Sequence, residues 1–96
     1  MRMTRTMRKR VRSLTRKQLL AYVFLTAKDL ASEQSLSKLS AFEIGNIIIA
    51  WGYQGDPKEF PEFISKVKDL AGSDDERFQK FYLDNTEFED VKPAEQ

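Results

Sequence analysis

A helix opens well where a side-chain oxygen accepts from the first free amides and an acid or amide three residues on reaches back. Four such starts are legible in this chain, each ahead of apolar residues at helical spacing. Thr15-x-x-Gln18 precedes LLAYVFLTAKDLA, and Ser40-x-x-Glu43 precedes IGNIIIAWGY. Asp56-Pro57-x-Glu59 puts proline at the first helical position, where its missing N–H costs nothing. Ser73-Asp74-Asp75-Glu76 loads the positive end of a fourth helix with acid. Gly55 and Gly72 follow the second and third apolar runs as left-handed C-cap candidates. No run alternates with period two for long, so no strand is assigned. The reading is an all-α bundle of four helices, over about 16–32, 41–53, 57–71 and 74–84, with Ser32–Leu39 as a serine-rich connector.

Ninety-six residues make one domain, and seven Phe and one Trp can supply its core. The third helix carries the clearest stripe, Phe60, Phe63, Ile64, Val67, Leu70 and Ala71. The first is apolar nearly all round from Leu19 to Leu25, which predicts a central position. Phe78, Phe81 and Tyr82 anchor the fourth. Trp51 is expected to finish the core; the competing reading is an exposed aromatic corner over Trp51–Gly55. Ala41, Gly45 and Gly52 fall near one helix face, which predicts a close helical neighbour, within the fold rather than in a second copy.

The chain has no Cys and no His. Thiolate and imidazole catalysis are therefore closed to it, as are the commonest transition-metal ligands. Asp74, Asp75 and Glu76 lack the alternation and glycine of a calcium loop. The four glycines are scattered and form no phosphate cradle. The expectation is a non-enzymatic protein with no catalytic residues, no cofactor and no metal. The longest apolar run, Leu19–Leu25, is far short of the ~20 residues of a membrane span.

Charge is segregated. Arg2, Arg5, Arg8, Lys9, Arg10, Arg12, Arg16 and Lys17 put eight positive charges and no acid in the first 17 residues, and the remainder carries 8 basic and 15 acidic residues. The sequence thus reads as a basic arm over 1–14, a helical domain over 15–84 and an acidic tail over 85–96. Met3, Met7, Val11 and Leu14 would form a thin apolar stripe if the arm wound into a helix, as when bound to a partner. The leading expectation is a nucleic-acid-associated protein, a small regulator or a subunit of an RNA or DNA complex. Arg5, Arg8, Lys9, Arg10, Arg12, Arg16 and Lys17 would contact phosphates while the body docks on a protein partner. With no aromatics among these cations, the arm points towards duplex or structured RNA backbone rather than single strands.

Other uses of the arm are an anionic membrane surface, a transit peptide, or an acidic protein partner. The last includes a second copy, whose Asp84–Gln96 segment holds five acids against Lys92. The matching locations are the cytoplasm, or an organelle matrix if residues 1–14 are a targeting segment. A helix-turn-helix reader is disfavoured, because Lys58, Lys66 and Lys68 alternate with Glu59, Glu62 and Asp69. The alternative from another class is a protein-binding inhibitor or adaptor of phage, plasmid or immunity type. Its acidic face would be Glu59, Glu62, Asp74, Asp75 and Glu76, with Trp51 and Tyr53 as interface aromatics.

The stretch LSAFEIGNIIIAWGY followed by DPKEFPEFISKV resembles one helical hairpin of the octotricopeptide-type repeats of organellar RNA-binding proteins. The likeness is a single copy with generic apolar spacing, and no residue role is carried over from it.

Overall fold

The computed structural model describes residues 2–33 and 35–86, whose regular structure is all helical, with no strand among them. Six α-helices follow one another: α1 Arg5–Arg12, α2 Arg16–Thr26, α3 Lys28–Glu33, α4 Ala41–Trp51, α5 Phe60–Ala71 and α6 Glu76–Asp84. A 3-10 turn, Pro57–Glu59, leads into α5.

The capping signals act where the sequence puts them, with local corrections. Thr15 and Gln18 close a reciprocal box at α2, and Ser40 and Glu43 close another at α4. Asp56 caps the Lys58 amide, so the 57–71 segment opens as a 3-10 turn before α5. The cap of α6 is Asp75, whose carboxylate accepts from the Phe78 amide at 2.9 Å, while Ser73 Oγ accepts from the Asp75 amide. The helix expected over 16–32 is two helices, broken at Ala27 (φ −150°, ψ 52°). There the Thr26 hydroxyl donates to the Tyr22 carbonyl at 2.8 Å, a local bond that competes with the helical ladder. Helix α4 ends at Trp51 because Gly52 takes φ 91°, so the left-handed cap is Gly52 and not Gly55. Gly72 does follow α5, but at φ −95°.

The largest departure is at the N-terminus. Residues 3–14 are not an arm outside the domain but one wall of its core. Thr4 caps α1 by accepting from the Met7 amide at 3.1 Å, and Met7 Sδ accepts from the Thr4 amide. Met3, Met7, Val11 and Leu14 are all buried, Val11 completely. The helix lies on the small-residue face of α4: a β-carbon on Gly45 would sit 3.6 Å from Arg12 Nη1 and 4.0 Å from Val11 Cγ1. The close neighbour expected for Gly45 is therefore α1.

Helix α2 is central, as its all-round apolar character predicts. Leu19, Leu20, Ala21, Tyr22 and Val23 are buried, and α3, α4, α5 and α6 all pack on it. Edge-on aromatic contacts knit the layers: Tyr22–Phe63 at 5.0 Å, Tyr53–Phe60 at 4.9 Å and Phe24–Phe81 at 5.3 Å between centroids. Leu36 brings the connector into the same core. At the C-terminal side, Thr86 is buried, so the expected tail begins inside the fold; residues 87–96, the rest of it, lie outside the described residues. No helix among the described residues is long and apolar enough to cross a membrane.

Candidate nucleic-acid interface

Burying the methionine–valine–leucine stripe of residues 3–14 fixes where the cations of that segment go. Arg2, Arg5, Arg8, Lys9, Arg10 and Arg12 are all exposed. Among the described residues none of the six lies in a salt bridge. Like charges instead stand one turn apart, Arg5 with Lys9 and Arg8 with Arg12, each such pair costing about 0.2–0.5 kcal/mol. The first turn of α1 has no acid to complement its positive end; Lys9, Arg10 and Arg12 in the last turn do match the negative one. A helix in this electrostatic state persists because its apolar face is in the core.

The two outer cations of the expected set are engaged elsewhere. The Arg16 guanidinium donates to the carbonyls of Leu36 (2.6 Å), Leu39 (2.8 Å) and Asn85 (2.9 Å), and to the Thr86 hydroxyl. It clips the 36–39 connector to the end of α6. The Lys17 ammonium lies 4.9 Å from the centre of the Tyr82 ring. The cationic face is thus α1 with Arg2, rather than the whole 1–17 stretch.

Helix α4 supplies the neighbours of that face, and it runs antiparallel to α1. At its start, Arg12 sits 4.8 Å over the Phe42 ring and donates to Asn46 Oδ1. At its end, Arg2, Met3 and Arg8 line an open cleft of ≈ 640 Å³ with Ile49, Ala50, Trp51 and Gly52. Arg8 Nη1 donates to the Met3 carbonyl at 2.9 Å, which steadies that guanidinium and leaves most of its N–H groups for a ligand. Trp51 is 46% exposed and Phe42 is 65% exposed. The expectation that Trp51 finishes the core is overturned; Tyr53 is the buried aromatic, packed on Phe60 and Phe63. Arg2, Phe42 and Asn46 were absent from the sequence-based site. Their signal was present only as the pairing of one stripe with another.

The acidic candidates do not gather. Glu59 and Glu62 stand at the start of α5 and Asp74, Asp75 and Glu76 follow its end, so a helix of twelve residues, ~18 Å long, separates the two groups. No group of three or more carboxylates among the described residues is arranged to hold a metal ion. Burial raises the Tyr22 hydroxyl, with Tyr53 adding to the shift. Burial also raises the Tyr53 hydroxyl, with Glu59 and Asp56 contributing, so both hydroxyls stay protonated at neutral pH.

Comparison of the chain with protein-family models, with curated proteins and with solved structures finds no match.

Proposed function

We propose that this protein is a non-enzymatic nucleic-acid-associated protein, a small regulator or a subunit of a nucleoprotein complex, which holds phosphate backbone on the exposed face of α1. The observation that carries the reading is six exposed cations, free of acidic partners among the described residues, on a segment, α1 and its flanks, anchored by four buried side chains. A polyanion would relieve the repulsion between them and release its own counterions. The guanidinium fork suits phosphate oxygens, and five of the six are arginines. The rest of the helical body, where Leu25 and Leu83 are exposed, is available to a protein partner.

The test is fluorescence anisotropy of the full chain with labelled RNA and DNA oligonucleotides from ~50 to ~200 mM salt. Binding should weaken along a log–log slope of several units. The variant Arg5→Gln/Lys9→Gln/Arg10→Gln, whose three side chains are all exposed, should remain folded and lose about 2–3 units of that slope, roughly one per phosphate contact. Failure of the full chain to bind either polymer near ~150 mM salt refutes the proposal.

A further inference from the structure

We infer that the α1–α4 seam takes an unpaired strand, its bases stacked on Trp51 and Phe42 while Arg2, Arg8 and Arg12 hold the phosphates between them. This rests on the phosphate-binding reading above and names its polymer. A duplex offers a protein its phosphates and the edges of its bases, but keeps the flat faces inside its own stack. Single strands expose those faces, and their general binding mode is a cationic groove with aromatic platforms beside it.

Nothing in residues 1–17 provides a platform, which is why the sequence pointed to duplex. The fold brings the platforms in from α4. Four large apolar side chains are exposed among the described residues: Leu25, Phe42, Trp51 and Leu83. The two aromatic ones are both on α4, each beside arginines of the α1 segment. Arg12 already stacks on Phe42, and Arg2 and Arg8 share the Trp51 cleft. Because α1 and α4 are antiparallel, the aromatics mark opposite ends of the seam. They stand nine positions apart, ~13 Å along the axis of α4 and about two and a half turns round it, so they project to opposite sides of α4 and a strand that meets both crosses the exposed cations of α1. Asn46, exposed between them and already bonded to Arg12, adds an amide that can meet a base edge or a sugar hydroxyl. An acidic protein segment would satisfy the arginines but would have no use for two exposed rings beside them.

Trp51 is the chain's one tryptophan, so its emission reads the proposed contact directly. The full chain is titrated at ~100 mM salt with a 12-nucleotide oligo-uridylate, with a 12-base-pair duplex, and with an abasic oligodeoxynucleotide of equal length. The expected result is quenching by the oligo-uridylate alone, with the abasic strand and the duplex both bound more weakly. Trp51→Leu and Phe42→Leu, at exposed positions and checked for folding by circular dichroism, should each weaken oligo-uridylate binding about five- to a hundredfold. Neither should change the salt slope, since stacking releases no counterions. If duplex binds as well as the single strand, emission does not change and both leucine variants bind normally, this inference is overturned while the phosphate reading stands. If no nucleic acid binds, both fall.

Discussion

A β-carbon built on Gly55 would stand 2.5 Å from the Tyr53 hydroxyl oxygen and 2.7 Å from its Cζ. The ring cannot swing aside freely, because it is buried against Phe60 and Phe63. Gly55→Ala should therefore destabilise by about 1–3 kcal/mol through overpacking. Gly45 is the opposite case: its added methyl would make ordinary contacts at 3.6 and 4.0 Å inside a helix, and Gly45→Ala should stabilise by up to ~1 kcal/mol. Urea denaturation midpoints of the two variants, on either side of the parent, check both. Both glycines were visible in the sequence: the close helical neighbour of Gly45 was expected though not that it is α1, whereas Gly55 was expected as a helix cap and is instead kept small by a ring two residues away. Glu43 makes a pH prediction. The Ser40 backbone amide and side chain hold its carboxyl below the usual 4.5, so the charged form is favoured in the folded state. Its contribution is present above pH 4.5 and is lost as pH falls through the lower folded value. Across pH ~5 to ~3, thermal melts of Glu43→Gln should flatten relative to the parent.

At the scale of elements, α1 is a structural helix that carries charge. The four buried side chains of α1 and its flanks, Met3, Met7, Val11 and Leu14, each contribute on the order of 1.5–3 kcal/mol of burial, and a domain of this size is stable by only about 5–15. Deleting residues 1–14 should abolish cooperative unfolding, seen as loss of a sigmoidal circular-dichroism melt. Removal of the cations for a binding assay must therefore be done by point substitution. The clip at Arg16 belongs to the same scale. Arg16→Lys keeps the charge but loses the planar fork that reaches the Leu36, Leu39 and Asn85 carbonyls together. It should cost about 2 kcal/mol of stability. Oligonucleotide affinity per folded molecule should stay unchanged, because Arg16 faces the connector and not the cationic face of α1. Chemical denaturation read beside anisotropy separates the two effects.

For the whole molecule, one core runs from Met3 through Leu36 to Tyr82, and the long-range contacts of α1, α4 and α6 all feed it. Unfolding should therefore be a single transition. Trp51 emission, which reports the α1–α4 seam, and far-ultraviolet ellipticity should trace one curve in urea; an earlier change in emission would mean that α1 detaches separately. The same core separates what was written locally from what was not. Caps at Thr15, Ser40 and Asp56, the amphipathic stripe of α5 and the central place of α2 follow from residues within three or four positions of each other, and the sequence alone determines them. So does the segregation of charge, and with it the candidate phosphate face. The break at Ala27 and the cap at Gly52 rest on local bonds to Tyr22 and Ile48 that apolar spacing does not reveal, whereas the burial of α1 depends on partners elsewhere in the chain. The stripe Met3, Met7, Val11, Leu14 was legible as a stripe, but what covers it was not. Only tertiary packing placed it on α4, because burial is a property of two surfaces, and that contact set Trp51 and Phe42 beside the arginines.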